Sequence, residues 1–101
     1  MMKELEEDQK RRRRRVQRDS LDVALLDLTG FYRDVLALQL GSRLALANTD
    51  AEDALERLAR SSTPEATLRR IEAIAACREA LDRNVAPLLA VEAMTMALRA
   101  G

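Results

Sequence analysis

The sequence predicts an all-α protein, a bundle of four main helices. Ala, Leu, Val and Ile supply nearly all of an apolar fraction of 48%, with one Phe, one Tyr and no Trp. Charged residues make up 34%, and only three Gly and two Pro interrupt the chain. This composition has a high summed helix propensity, and strand formers never cluster into an alternating run. A length of 101 residues suits one domain with a single hydrophobic core.

The first predicted helix runs from about Lys3 to Leu40. Residues 1–18 carry eight basic and four acidic side chains, whereas the remainder carries nine basic and thirteen acidic ones, so the zero net charge hides a split of +4 against −4. Acidic residues precede basic ones by four positions, as in Glu7 and Arg11, a spacing that supports a solvated helix. We therefore divide the chain into a basic helical arm, residues 1–18, and a helical body, residues 19–101.

An apolar stripe begins at Leu21 and is spaced by four, three, four, three and four residues, which indicates one broad buried face. Its members are Leu21, Leu25, Leu28, Tyr32, Val35 and Gln39. The charged residues expected on the opposite face are Asp19, Asp22, Asp27, Arg33 and Asp34. Gly41 is the natural stop, because glycine adopts the left-handed conformation that ends helices.

Residues 42–49 are ambiguous between a loop and a fifth short helix near 42–48. A second main helix is predicted over 51–60. Its candidate N-caps are Asn48, Thr49 and Asp50. The residues expected to face inward are Leu55, Leu58 and Ala59.

The third predicted helix has the clearest start in the chain. Thr63 is expected as its N-cap, Pro64 as its first residue and Glu65 as an acidic partner for the helix dipole. The helix continues to about Arg83. Its buried side is predicted to hold Leu68, Ile71, Ala75 and Leu81, with Ile74 and Cys77 beside them.

The last predicted helix, from Leu88 to about Arg99, follows a break at Pro87. It is apolar almost all round, since Glu92, Thr95 and Arg99 are its only polar residues. Such a helix is either central in its bundle or packs one side on its own core and the other on a partner. We favour the second arrangement.

Several classes of chemistry are excluded by composition. The chain has no His, a single Cys and no glycine-rich phosphate loop, so general-base, zinc and nucleotide sites lack their usual residues. We expect no enzyme activity, no cofactor and no metal. Cys77 cannot form an intramolecular disulfide and is expected to be a small core residue. The absence of a long apolar run predicts a cytoplasmic protein.

Three stretches carry a family resemblance. Residues 84–94 (NVAPLLAVEAM) are similar to the last-helix signature of bacterial DNA polymerase III clamp-loader subunits. Residues 27–36 (DLTGFYRDVL) resemble the long first helix of their C-terminal collar domain, and residues 63–83 follow in the same order. More narrowly, residues 27–36 and 84–94 together resemble the delta-prime subunit of actinobacterial type.

The resemblance implies a structural role in DNA replication. The chain would be a fragment without the ATPase domains, and it would assemble with sister clamp-loader subunits into a collar through helix packing. The residues we expect at the subunit interface are Tyr32, Arg33, Leu36, Leu89, Met96 and Arg99.

The basic run of the arm has two interpretations. It can contact DNA phosphates, without sequence readout because no aromatic residue lies among the arginines, or it can be a solvated helix end, which is the more common use of such a run. The candidate phosphate contacts are Arg11, Arg12, Arg13, Arg14 and Arg15. Two alternative functions therefore remain: a DNA-associating helical module and an unrelated helical homo-oligomeric scaffold.

Overall fold

The computed structural model describes residues 1–42 and 52–101. Within them the helices are α1 (Met2–Gln39), α2 (Glu52–Ser61), α3 (Pro64–Asp82) and α4 (Pro87–Ala100). None of the described residues forms a strand, so the predicted all-α bundle is confirmed. The ambiguous segment lies outside the described residues except for Ser42. The candidate caps Asn48, Thr49 and Asp50 lie outside them as well.

Helix α1 sets the long dimension of the molecule. Its 38 residues correspond to about 57 Å of helix, and the principal extents are 60 × 26 × 16 Å. Residues 2–17 are exposed on every side, and partial burial begins at Arg18. In this arm Arg11 pairs with Asp8 at 3.3 Å, three residues before it, and not with Glu7 as the spacing suggested.

The predicted stripe of α1 is confirmed. Leu25 and Val35 are buried, and the other members of the stripe are half-buried. The expectation for Asp34 is wrong, because this residue is only 4% exposed. Both α2 and α3 pack against α1, so a wider arc of the helix is covered near its C-terminus than a single partner would cover.

Gly41 ends α1 as predicted. Its φ is +85°, its N–H donates to the carbonyl of Leu38 at 3.1 Å, and the N–H of Ser42 donates to that of Ala37 at 2.8 Å. These two bonds form a Schellman motif, which requires a left-handed residue where glycine has no steric penalty.

A buried polar junction joins three helices. Thr67 of α3 is 0% exposed and its hydroxyl lies 2.8 Å from Oε1 of Gln39 at the end of α1. The amide nitrogen of Gln39 in turn donates to the carbonyl of Ala59 in α2, at 3.3 Å. The junction gives polar groups partners where the three helices meet, which a buried site requires.

Helix α3 begins as predicted, and its buried side agrees with the prediction in part. Thr63 has extended backbone and accepts a bond from the N–H of Ala66 at 3.1 Å, and Pro64 is the first helical residue. Leu68 and Ala75, expected inside, are exposed. The residues that α3 buries are Thr67, Ile74, Cys77 and Leu81. Ile74, Cys77 and Leu81 agree with the prediction, whereas Thr67 is buried in place of its neighbour Leu68, on the side that faces α1.

Helix α3 packs against both α1 and α4, and α1 packs against both α2 and α3, so α2 and α4 are the outer helices. The core cluster consists of Leu25, Ile74, Cys77, Leu81, Ala90 and Met94. Cys77 is 3% exposed within this cluster, so its predicted role as a core residue is confirmed. Burial raises the pKa of its thiol, which disfavours the reactive thiolate.

One ion pair joins α1 to α3. Nε of Arg78 lies 2.7 Å from Oδ1 of Asp22, and its second nitrogen lies 3.4 Å from Oδ2. The hydrogen bond from Arg78 lowers the pKa of the Asp22 carboxyl, with the positive charge of Arg78 acting in the same direction. The pair therefore favours the ionised carboxylate in the folded state.

We expect Thr67→Val to lower the free energy of unfolding by about 1 to 2 kcal/mol, because it removes a fully buried hydroxyl and one partner of Gln39. Urea unfolding followed by circular dichroism measures the change. Thr95→Val is the matched control, since the Thr95 hydroxyl bonds the carbonyl of Val91 at 2.8 Å on the exposed side of α4. Equal losses in the two variants would contradict the role assigned to the junction.

The stabilisation by Asp22 is expected to depend on pH. It is fully present above the ordinary aspartate pKa of about 3.9 and is lost as the pH falls through the lower folded-state value. Asp22→Asn should therefore unfold at less urea than the wild type at about pH 7, and the difference should shrink below about pH 4. Asp19→Asn, at an exposed position, is the control. A difference that stays constant with pH would argue against the pair.

Candidate subunit interface

The turn between α3 and α4 is built on Asn84. This residue has φ +63°, and its N–H donates to the carbonyl of Leu81 at 3.1 Å. The N–H of Val85 donates to the carbonyl of Ala80 at 3.0 Å, which completes a second Schellman motif. Pro87 then starts α4 as its first residue, so the direction of α4 is set by local backbone chemistry.

Two arginines of α3 hold the other end of α4. Arg69 donates from Nε and Nη2 to the Gly101 oxygen at 3.0 and 2.6 Å. Arg70 donates to the carbonyl of Leu98 at 3.1 Å and to the hydroxyl of Ser62 at 2.8 Å. Cationic donors suit the negative end of a helix dipole. Helix α4 is thus fixed on α3 at both ends.

Helix α4 has two apolar sides. Ala90 and Met94 are buried against α3, with Val91 and Leu98 packed beside the core. A second stripe, spaced by four, three and four residues, is exposed to solvent, and we call it the outer stripe: Leu89, Ala93, Met96 and Ala100. Leu89 is 62% and Met96 is 71% exposed. Helix α4 is therefore at the edge of the bundle and carries apolar surface that its own core does not use.

A groove of about 240 Å³ runs between α3 and the outer stripe. Leu89 and Val85 line it together with small side chains from both helices: Ala73, Ala76, Ala80, Ala93 and Ala97. A lining of alanines lets another helix approach closely, and the groove and outer stripe form a continuous apolar surface.

The six predicted interface residues do not form one patch. Leu89 and Met96 lie on the outer stripe, and Arg99 is exposed in the last turn of α4. On α1, Arg33 is exposed and Leu36 is half-buried, whereas Tyr32 packs against the core cluster and meets Phe31 edge to face at 5.5 Å. The α4 residues thus share an outward side, and Tyr32 points to the interior.

The structure also divides the arginines of the arm. Nη1 of Arg18 donates to Oδ1 of Asn84 at 3.0 Å, which brings α1 beside the α3–α4 turn. A cleft of about 620 Å³ lies there, and we call it the basic cleft; its lining is Arg11, Arg14, Arg15, Gln17, Arg18, Asn84, Val85, Ala86 and Pro87. Arg12 and Arg13 line shallower surfaces with Gln9 and Val16 elsewhere on the helix.

Residues 1–42 and 52–101 contain no group of three or more His, Cys, Asp or Glu side chains placed to hold a metal ion. None of their helices combines the length and hydropathy needed to cross a bilayer.

Comparison with known families identifies the protein family of this chain. Residues 16–96 match the family described as DNA polymerase III, delta subunit, C terminal. The chain belongs to this family. It is a clamp-loader family, and this C-terminal domain is a non-catalytic component with a role in DNA replication. No curated protein and no solved structure matches the chain significantly.

The sequence prediction missed Arg18 and Asn84 as site residues. Arg18 is three residues beyond the arginine run, and only helical spacing relative to Arg11, Arg14 and Arg15 could have grouped it with them. Asn after the end of a helix favours the left-handed conformation, so the turn at Asn84 had a local signal. The contact between Arg18 and Asn84 had no signal in the sequence.

We expect Asn84→Ala to lower the free energy of unfolding by about 1 kcal/mol, because alanine disfavours a positive φ. Asn84→Gly relieves the conformation while removing the same side chain, and should be neutral or slightly stabilising. Thermal and urea unfolding measure both. A loss as large for glycine as for alanine would show that the bond to Arg18 stabilises the turn, and not the backbone preference of residue 84.

Proposed function

We propose that this chain is the C-terminal oligomerisation domain of a clamp-loader subunit and packs with sister subunits into a collar. The exposed outer stripe carries this proposal. Leu89 and Met96 stand on a helix held at both ends, so they cannot turn inward to escape water. Apolar side chains on a rigid surface, rimmed by polar residues, are characteristic of a protein interface.

The geometry favours a helix of a neighbouring subunit as the occupant of this surface. The outer stripe repeats at four, three and four residues, the spacing with which helices interdigitate along a seam. The alanine groove beside it can accept the side chains or the backbone of the second helix. Helix α4, about 21 Å long, offers roughly four turns of contact.

Of the charged residues proposed for the interface, Arg99 belongs to its polar margin. Arg99 flanks the outer stripe on the side away from the groove, and Arg33 is exposed on α1. Such rim charges select partners and steer association more than they add affinity. Tyr32 and Leu36 are half-buried, so their part in subunit packing is to support α1 from inside and to offer only their remaining exposed surface.

The finer assignment, to the delta-prime subunit of an actinobacterial-type polymerase, rests on residues 27–36 and 84–94. Residues 84–94 include the Asn84 turn and the first half of α4, where the outer stripe begins. The specific test of that assignment is whether the chain binds a clamp loader of this type that has been assembled without its delta-prime subunit. The cytoplasmic location expected from the sequence agrees with a role in replication.

An unrelated homo-oligomeric scaffold is the alternative use of the same surface. In that case a second copy of this chain would cover the outer stripe. Light scattering of the purified chain distinguishes the two functions. A monomer that joins purified clamp-loader subunits supports the collar, whereas a stable homo-oligomer that ignores them supports the scaffold.

We expect the double variant Leu89→Glu, Met96→Glu to lose binding to purified clamp-loader subunits, because each charge would be buried against an apolar partner at a cost of at least about 2 kcal/mol. Analytical size exclusion and calorimetry measure the association. The free energy of unfolding should stay within about 0.5 kcal/mol of the wild type, since both residues are exposed in the isolated chain.

The matched control is Leu5→Glu, Val16→Glu on the arm. These residues are 60% and 64% exposed, close to the exposure of Leu89, and the two double variants add the same charge. The control should bind as the wild type does. If both double variants weaken association equally, the effect is one of net charge and the outer stripe is not the interface.

A further inference from the structure

The arginine run presents two faces, and only one of them is concave. Arg11, Arg14, Arg15 and Arg18 are spaced by three, one and three residues, which places them on one side of α1. All four line the basic cleft, opposite the α3–α4 turn. Arg12 and Arg13 lie on another side of the helix.

The guanidinium groups of the cleft remain largely uncompensated. Among the described residues, no acidic side chain forms an ion pair with Arg14 or Arg15. Arg18 bonds the neutral amide of Asn84, so its positive charge is retained. Arg11 pairs with Asp8, but both side chains are more than half exposed and the pair is easily exchanged for another anion. None of the described residues that line the cleft carries a carboxylate.

The spacing of these charges suits a chain of phosphates. Arg18 follows Arg11 by seven positions, which corresponds to about 10 Å along the helix axis. Successive phosphates of one DNA strand advance by about 3.4 Å along the axis of a duplex. They lie further apart when the single strand is extended. The four arginines can therefore contact two or three consecutive phosphates.

We propose that the basic cleft binds the phosphodiester backbone of single-stranded DNA. The cleft is closed on its second side by Val85, Ala86 and Pro87, which offer apolar surface to sugars and unpaired bases. A charged groove of this kind follows a strand without reading its sequence, and no aromatic side chain lines it for base stacking. A duplex presents its phosphates on a convex surface and meets only the edge of the cleft.

This inference goes beyond the collar function and uses a different surface. The outer stripe is apolar and lies on α4, whereas the cleft is formed by the arm and the α3–α4 turn. Binding of DNA needs no sister subunit, so it is measured on the chain alone. Failure of one proposal therefore leaves the other intact.

The test is fluorescence anisotropy of a labelled twenty-nucleotide oligo(dT) with the full chain, over a range of salt. Arg14→Gln, Arg15→Gln removes two charges from the cleft, and Arg12→Gln, Arg13→Gln removes the same number from the other side. We expect the first variant to weaken binding roughly 10- to 100-fold at about 50 mM salt and to reduce the slope of log K against log salt by about 1.4. The second should change binding less than about threefold and keep the slope.

Three outcomes would overturn the proposal. Equal effects of the two double variants would mean that the arm acts only through its net charge. Tighter binding of a duplex of the same length, or of a polyglutamate peptide, would mean that the cleft is not built for a single strand. Circular dichroism of both variants verifies that the helices are intact, so a loss of binding cannot be attributed to unfolding.

Discussion

The packing of α3 against two helices at once is the constraint on which the molecule depends. The chain has one Phe, one Tyr and no Trp, so large aromatic side chains cannot fill its core. Smaller side chains from three helices fill it instead. Leu25 comes from α1, Ile74, Cys77 and Leu81 from α3, and Met94 from α4. Because α3 packs against both α1 and α4, α4 is left at the edge with one side covered. The exposed apolar surface is thus a result of the architecture and not an incidental excess of leucine.

Local chemistry was the predictable part of this fold. Thr63 and Pro64 start α3, Gly41 ends α1, and the stripe from Leu21 to Gln39 is buried as its spacing indicated. Each of these features depends on residues close together in sequence, where propensity and steric rules apply directly.

Packing between helices was the part that sequence could not supply. Leu68 looked more suitable for the interior than Thr67, yet Thr67 is enclosed because Gln39 of α1 provides a partner for its hydroxyl. Asp34 is 4% exposed near the end of α1, a helix that packs against both α2 and α3. The basic cleft depends on contact between Arg18 and Asn84, which are 66 residues apart. A single sequence contains no signal for a contact between residues so far apart in the chain.

The single cysteine, Cys77, gives this small bundle an internal reporter of how α4 moves. It lies between α3 and α4 on the inner side of the alanine groove, and burial disfavours its reactive thiolate. An alkylating reagent can reach it only when α4 lifts away or the whole chain unfolds, so the labelling rate measures the free energy of that opening. A protein seated along α4 would hold the helix down and slow the labelling in proportion to its occupancy.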